Sequence, residues 1–244
     1  MLRPVPDRPP ADQALARCPL GVCAGDGWVE VEATGEVRAC DCRDRRIRQA
    51  AGRRLGSGIP RRYRGVSFER RPISDMDPYV VRHVRAFVDR IGDNVDAGRG
   101  LWFYGDVGTG KTSLAMLVSQ AAEAAGRSVA VYSVPRLLAE IKDTYEADST
   151  GSYMDLFRRL SAVDLLHLDD LGAERTTEWV LEQLYAIVNE RWQDERAIVV
   201  TTNLTSLDDL RAQIGARTVS RLSEICGDPI PIMGPDLRIT PDGP

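Results

Sequence analysis

The sequence of 244 residues is poor in lysine and in aromatic side chains. Only Lys111 and Lys142 are lysines, whereas thirty residues are arginines. No segment approaches the run of about 20 apolar residues that a membrane-spanning helix needs. The opening segment, MLRPVPDRPPADQ, lacks the apolar stretch of a secretory signal. We therefore expect a cytoplasmic protein without a membrane partner, and a disordered tail over residues 1–16.

Apolar residues make up 43% of the chain, which is enough for a packed core. The net charge of −4 hides an uneven distribution, because residues 43–71 hold eleven arginines against two acidic residues. Such a basic block is typical either of a surface for nucleic acid or an acidic partner, or of a solvated helix and linker. The sequence leaves both interpretations open.

Apolar strand-like runs alternate with amphipathic segments over the second half of the chain. The runs are GLWFYG (100–105), SVAVYSV (128–134), VDLLHLDDL (163–171), AIVVTTN (197–203) and PIPIM (229–233). Runs that are apolar on both faces, with helices between them, predict a parallel sheet covered by helices on both sides. Asp77 and Pro78 have the residue types of an N-cap and a first helical position, so a helix is predicted to begin there.

The segment Gly105-x-x-x-x-Gly110-Lys111-Thr112 fits the P-loop pattern in full, with a strand before it and a helix after it. Glycines allow backbone N–H groups to turn toward phosphate oxygens, and the helix N-terminus adds positive charge. Lys111 is predicted to reach the outer phosphates, and the Thr112 hydroxyl to bind magnesium. The residues expected to contact the nucleotide are Gly105, Asp106, Val107, Gly108, Thr109, Gly110, Lys111, Thr112 and Ser113.

Two carboxylates end the third apolar run, where an unpaired charge is costly unless a cation or water meets it. We expect Asp169 to hold magnesium and Asp170 to polarise the attacking water. Asn203, at the end of the next run, is predicted to orient that water, although it also has the residue type of a helix cap. His167 is interpreted as a packed side chain rather than a proton carrier.

Arg217 and Arg221 lie four residues apart and therefore on one face of a predicted helix. An arginine supplied by a neighbouring subunit accelerates phosphoryl transfer by roughly 10³–10⁵ in comparable systems. The alternative is a solvated or salt-bridged helix face. Only eleven residues follow Met233, which leaves no room for the helical lid that many ring ATPases place after the core.

These motifs together resemble the DnaC/DnaI/IstB group of AAA+ ATPases, which are helicase loaders and transposition helpers. The similar segments are GDVGTGKTSLA, LLHLDDLG, TTEWVLEQLYAIVNERW, TTNL, RTVSRLSEIC and MGPDLR, in order over about residues 56–238. The resemblance implies a three-layer sandwich with sheet order 5-1-4-3-2, a surface for single-stranded DNA, and self-association. It also implies an arginine finger acting between subunits, with Arg221 preferred over Arg217.

Cys18, Cys23, Cys40 and Cys42 are grouped as C-x4-C and C-x-C, separated by sixteen residues. Four thiolates can enclose a tetrahedral zinc and stabilise a unit that is too small to fold by its own core. Disulfides are the alternative, which a cytoplasmic location disfavours. The segment also resembles the amino-terminal region of DnaC/DnaI-type loaders, whereas IstB-type helpers generally lack these cysteines.

The sequence therefore predicts a disordered tail (1–16), a zinc segment with a basic helix (17–55), a linker (56–76) and an AAA+ core (77–244). We expect an ATP-dependent loader that binds ATP, Mg²⁺ and Zn²⁺, single-stranded DNA and a replicative helicase. Its shorter Asp170, where many relatives have Glu, suits slow hydrolysis and a switch. The alternatives are an IstB-like transposition helper and a non-hydrolysing adaptor. The basic side chains Lys142, Arg158 and Arg159 fit either a DNA contact or a solvated helix face.

Overall fold

The computed structural model of the chain describes residues 18, 20–31, 35–43, 58–145 and 152–237. The chain forms two compact units, Met1–Ala50 and Ala51–Pro244. The tail predicted over 1–16 lies outside the described residues, and so does the predicted basic helix over 43–55 apart from Arg43. None of the helices in the described ranges is long and apolar enough to cross a membrane.

The first unit is built on a β-hairpin that the sequence patterns did not predict. Strands β1 (Trp28–Val31) and β2 (Glu36–Ala39) pair antiparallel, with Trp28 opposite Ala39. The N–H of Cys40 donates to the carbonyl of Gly27 at 2.8 Å, which continues the pairing beyond the strands. The hairpin thereby spans the sixteen-residue gap and brings the two cysteine pairs together.

The second unit alternates strands and helices. Its strands are β3 (Leu101–Tyr104), β4 (Val129–Ser133), β5 (Leu165–Asp169), β6 (Ala197–Thr202) and β7 (Ile230–Pro231). Its α-helices in the described ranges are α1 (Pro78–Val88), α2 (Ile91–Asp96), α3 (Lys111–Ala124), α4 (Val134–Asp143), α5 (Tyr153–Ala162), α6 (Glu178–Gln193), α7 (Leu207–Ile214) and α8 (Ala216–Cys226).

All five strands of this unit are parallel, and their spatial order is β4-β5-β6-β3-β7. If β3 to β7 are numbered 1 to 5 along the chain, the order read from the β7 edge is 5-1-4-3-2, as predicted. Strand β3 lies between β6 and β7, and β5 lies beside β6. The carboxyl ends of β3, β5 and β6 therefore meet at one edge, where the P-loop, the two carboxylates and Asn203 follow their strands.

Side chains alternate along the strands between two apolar clusters, which confirms three layers. On one face, Trp102, Leu166 and Val200 pack with α4, α5, α6 and α8. On the other face, Phe103 and Val199 pack with α1, α2 and α3. Burial on both faces explains why these strands read as continuous apolar runs instead of alternating ones.

Local sequence signals fix several helix ends. The Asp77 carboxylate accepts a hydrogen bond from the N–H of Tyr79 at 2.7 Å and caps α1, with Pro78 at the first helical position. Helix α6 ends near Arg191, which is fully buried and donates to the carbonyls of Leu160, Val163 and Ala197 at 2.7–3.0 Å. Arg191 thereby ties the end of α5 to α6 and β6.

Residues 58–76, which the sequence suggested as a linker, pack against the core of the second unit. Ile59, Ile73 and Met76 are buried in the same cluster as α1 and α3. Tyr63 accepts a hydrogen bond at its carbonyl from the Gln120 side chain on α3. This packing places Arg62 and Arg71 beside the P-loop.

Candidate functional site

The P-loop connects β3 to α3 and forms a ring of backbone around the Lys111 ammonium group. The ammonium is buried and donates to the carbonyls of Gly105 at 2.8 Å and of Asp106 at 2.5 Å. The Thr109 hydroxyl donates to the Asp106 carbonyl at 2.9 Å and tightens the same turn. Lys111 is thus held inside the loop, at the N-terminus of α3, where an incoming anion would meet its charge.

Glycine is required at two points of this loop. Gly110 caps α3 with φ = 93°, a conformation that L-residues rarely adopt. A Cβ atom on Gly105 would lie 2.2 Å from the Ile232 carbonyl oxygen of the segment after β7. The spacing of these two glycines therefore reflects both backbone conformation and the close approach of a neighbouring strand.

Thr201, in β6, hydrogen-bonds the Asp169 carboxylate and the backbone of Asp170 at the end of β5. Its hydroxyl donates to Asp169 Oδ1 at 2.7 Å and accepts from the backbone N–H of Asp170 at 2.9 Å. Asp170 has φ = 62°, which is uncommon for a residue with a side chain. The turn after β5 therefore directs two consecutive carboxylates into the cleft instead of to opposite faces.

The environments of the two carboxylates shift their pKa values in opposite directions. Burial alone raises the pKa of Asp169, but His167 and the hydroxyls of Thr201 and Thr112 favour the ionised form, and its pKa is lowered overall. The pKa of Asp170 is raised, first by burial and then by the charge of Asp169, against a smaller opposing effect of Lys111. A carboxylate that stays ionised could hold a divalent cation, and a neighbouring, more basic carboxylate could accept a proton.

Asn203 lies beside the second carboxylate, as expected from the sheet order. Its side-chain amide donates to Asp170 Oδ1 at 2.6 Å. The alternative role as a helix cap is not seen, because the Ser206 hydroxyl accepts from the N–H groups of Asp208 and Asp209 and caps α7. The amide nitrogen of Asn203 is thus placed at the cleft rather than at the next helix.

His167 is fully buried, as a packed side chain should be. Its Nδ1 lies 3.0 Å from the Ser119 hydroxyl of α3, and its Nε2 lies 3.8 Å from Asp169 Oδ1. The ring therefore fills the space between α3 and β5 and lines the back of the Asp169 carboxylate.

A cleft of about 550 Å³ collects these groups. Besides the P-loop, Asp169, Asp170 and Asn203, it is lined by Arg62 and Arg71 of the segment that precedes the core. Arg71 forms an ion pair with Asp75 at 2.5 Å. A more apolar cavity of about 590 Å³ adjoins the loop at Thr109 and is lined by Met76, Val80, Ile230 and Met233 among others. The polar cleft suits a polyphosphate, and the more apolar cavity suits the base of a nucleotide.

Three of these residues were not singled out from the sequence. Thr201 belongs to the TTN segment, but only Asn203 was assigned a role there. Arg62 and Arg71 were counted in the basic block without a position near the phosphates. The first could have been found because β6 neighbours β5 in the predicted sheet order, whereas the arginines depend on how residues 58–76 pack.

The two candidate finger arginines share helix α8 but differ in their surroundings. Arg217 is exposed, and within the described ranges it has no hydrogen bond or ion pair. Arg221 forms an ion pair with Glu224 at 2.9 Å, and its guanidinium carbon lies 3.4 Å from the centre of the Trp192 ring. The expectation of a salt-bridged helix face thus describes Arg221, and neither contact involves the chain's own P-loop.

In the first unit, the four predicted cysteines come together and are buried. Their sulfur atoms all lie within 4.8 Å of one another, and all five cysteines of the chain are free thiols. Although burial raises the pKa of Cys18, backbone N–H groups of Cys23, Val22 and Leu20 lower it to about 6. Four thiols gathered in this way fit a tetrahedral zinc ion, whose Zn–S bonds are about 2.3 Å. The fifth thiol, Cys226, lies in the second unit and contacts the Ile198 carbonyl.

The parallel sheet order, the P-loop after β3 and the paired carboxylates at the end of β5, with β6 between these two strands, define a P-loop nucleotide-binding protein of the AAA+ class. The sequence profile of the family described as IstB-like ATP binding protein matches residues 43–220, and the chain belongs to this family. The resemblance to the DnaC/DnaI/IstB group is thereby confirmed.

Individual relatives agree with this assignment. The chain is 26% identical over 167 residues to the replicative helicase loader DnaC of Buchnera aphidicola, covering 68% of this chain and 66% of that protein. It is 28% identical over 149 residues to the replicative helicase loader DnaI of Bacillus subtilis, covering 60% and 46%. The match thus spans just under two thirds of the first relative and about half of the second.

The crystal structure of a DnaC helicase loader superposes with a TM-score of 0.61 at 24% identity, covering 71% of this chain and 99% of that one. At this level of identity the similarity establishes the fold alone. The predicted α/β sandwich, with its five parallel strands, is confirmed.

Proposed function

We propose that the cleft hydrolyses ATP. The Lys111 ammonium and the backbone N–H groups of the P-loop hold the phosphates, and the adjoining apolar cavity takes the base. Thr112 and Asp169 would hold a magnesium ion, which would supply positive charge at the phosphate oxygens. Arg62 and Arg71 add positive charge at the mouth of the cleft. The contacts described for these side chains support this assignment.

Asp170 is the residue that activates water in this proposal. Its raised pKa makes it a better proton acceptor than an ordinary aspartate, and Asn203 holds its carboxylate in place. Water attacks the γ-phosphorus, Asp170 accepts the proton, and the bond between the γ-phosphorus and the β–γ bridging oxygen breaks to leave ADP. The observation that carries the proposal is this pairing of Asp170 with Asn203 at the end of the P-loop cleft.

In this proposal a second copy of the chain completes the site with an arginine of α8. Neither Arg217 nor Arg221 lines the chain's own P-loop cleft, which agrees with a role at a neighbour's nucleotide. Arg221 is the preferred finger and Arg217 the second choice. ATP binding would then favour side-by-side assembly, and hydrolysis would favour release. This coupling supports a switch rather than a constitutive enzyme.

We further propose that the assembly loads a replicative helicase onto single-stranded DNA. The support is the similarity to proteins named replicative helicase loaders, together with the four-cysteine unit that precedes the ATPase core. The cysteines bind zinc in this proposal. Every cluster member is buried, and among the described residues of this unit Val29 is the hydrophobic side chain that packs against them, so metal binding would stabilise the unit.

A transposition helper is the second candidate, because the matching family is described as IstB-like. The two functions differ in their partners. A loader binds the host's replicative helicase and single-stranded DNA, whereas a helper acts on duplex DNA without a helicase. A non-hydrolysing adaptor would bind ATP and a protein partner without turnover.

The test is capture of the host's replicative helicase by the full chain, with ATP, with ADP and without nucleotide. A loader is expected to retain the helicase in an ATP-dependent manner, and the Lys111→Ala variant should lose that dependence. Lys142→Ala is the matched control, because Lys142 is the other lysine of the chain and lies on α4, away from the P-loop. Binding of duplex DNA with no helicase retention would favour the transposition helper.

A further inference from the structure

Arg221 forms a three-residue cluster with Trp192 and Glu224, to which the proposed function gives no role. Its Nη1 donates to Glu224 Oε1 at 2.9 Å, one turn along α8. The indole Nε1–H of Trp192, near the end of α6, donates to the other carboxylate oxygen, Oε2, at 2.8 Å. The guanidinium also stacks on the same indole, with its carbon 3.4 Å from the ring centre. Each of the three side chains therefore contacts the other two.

These contacts fix the orientation of the guanidinium without using all of its donors. A guanidinium is planar and carries five N–H donors, and stacking on an aromatic face leaves the donors at its rim free. Only Nη1 is engaged by Glu224, so Nε and Nη2 have no protein partner among the residues that the structure describes. The side chain is 29% exposed, so part of it is open to solvent.

The surroundings of Glu224 and Trp192 favour a fixed position over a mobile one. Both oxygens of the Glu224 carboxylate accept a hydrogen bond within the cluster. Trp192 packs against the apolar cluster that includes α6 and β6. Arg217, on the same helix, has none of these constraints and would lose more side-chain entropy on meeting a phosphate.

We propose that Trp192 and Glu224 are positioning residues. They hold Arg221 in the orientation in which it contacts the nucleotide bound to a neighbouring copy. This inference rests on the proposed function, because it needs a finger that acts between copies. The stacked indole sets the plane of the guanidinium, and the carboxylate sets its rotation within that plane. The free Nε and Nη2 edge is the part that contacts phosphate.

The proposal predicts that loss of Trp192 damages the arginine-donating half of the shared site and leaves the nucleotide-binding half intact. In Trp192→Leu, ATPase activity should fall by about tenfold, whereas Trp192→Phe, which keeps an aromatic face, should stay within about threefold of wild type. Glu224→Ala changes a half-exposed residue outside the core and should cause a smaller loss of the same kind.

Mixing experiments separate this role from a general structural one. Equimolar Trp192→Leu and Lys111→Ala chains should regain activity, because Lys111→Ala supplies an intact finger to the intact P-loop of the other chain. Trp192→Leu mixed with Arg221→Ala should regain none, because both chains lack a working finger. Glu224→Ala should show the same pair of results. Trp179→Leu is the matched control, because Trp179 lies on the same helix as Trp192 but stacks with Lys142 instead of Arg221. This variant should act as wild type in both mixtures.

Two outcomes would overturn the inference. If Trp192→Leu and Glu224→Ala hydrolyse ATP at the wild-type rate, the cluster does not position the finger. If neither variant is rescued by Lys111→Ala, their defect is not in the arginine half of the site. The proposed function itself is tested separately by the reference mixture of Lys111→Ala and Arg221→Ala. If that mixture regains no activity, the shared site is wrong and the inference falls with it.

Discussion

Replacing Thr201 with valine should uncouple nucleotide binding from hydrolysis. Thr201 is 2% exposed. Valine has nearly the same volume and differs by carrying a methyl group in place of the hydroxyl. That hydroxyl donates to Asp169 Oδ1 and accepts from the backbone N–H of Asp170, so one substitution removes a hydrogen bond to the Asp169 carboxylate and another to the Asp170 backbone. The P-loop contacts of Lys111 are left in place.

The magnitude follows from the charge on Asp169. A hydrogen bond to an ionised group contributes about 1.5–3 kcal/mol, and about 1.4 kcal/mol corresponds to a tenfold change in rate. We therefore expect kcat to fall by about tenfold to a hundredfold in Thr201→Val. The magnesium concentration at half-maximal activity should rise, because Asp169 loses a partner that favours its ionised, metal-binding form.

The assay is steady-state ATP hydrolysis as a function of magnesium, combined with nucleotide binding in EDTA. Binding in EDTA should change by less than about threefold, and Thr201→Ser should restore most of the activity. Thr202→Val is the matched control, because its hydroxyl accepts from the Leu204 N–H and touches neither carboxylate. A Thr201→Val enzyme with unchanged kcat and unchanged magnesium dependence would refute the idea that Thr201 organises the carboxylates.

Three further predictions address other parts of the chain. Asn203→Ala should lower kcat by about tenfold or more while ATP binding is retained, because Asp170 loses its 2.6 Å hydrogen bond; equal kcat would contradict the role of Asn203. The purified chain should contain one zinc per molecule by elemental analysis, with zinc lost in Cys42→Ser and kept in Cys226→Ser; a metal-free wild-type chain would contradict the zinc assignment. Arg191→Met should reduce the free energy of unfolding in urea by about 3 kcal/mol, because buried carbonyls lose their donor; a change below about 1 kcal/mol would contradict it.

The strands of the sheet and the main residues of the candidate site were predictable because their signals are local. The P-loop pattern sets the backbone of residues 105–113, and a strand that ends in two carboxylates must present them at the carboxyl edge of a parallel sheet. The register of β3 against β6, with Tyr104 opposite Thr202, then brings Asn203 to the same edge. The strand order itself was implied by the family resemblance, and the structure confirms it.

Other features depend on contacts between distant segments, which no local pattern reports. The hairpin between the cysteine pairs has strands of four residues each, too short for a clear alternation of apolar and polar positions. The approach of Arg62 and Arg71 to the cleft follows from burial of Ile59 and Ile73 against α1 and α3. The stacking of Arg221 on Trp192 joins residues 29 positions apart, on helices whose packing the sequence does not specify.

Our central proposal is that each ATPase site is completed by a second copy of the chain. The most direct test is to measure ATP turnover per chain as a function of protein concentration. With saturating ATP and single-stranded DNA, the account predicts that turnover per chain rises with concentration to a plateau. Arg221→Ala should remain low throughout that range. A turnover number that stays constant down to the lowest concentrations, in chains shown to be monomeric, would contradict the account.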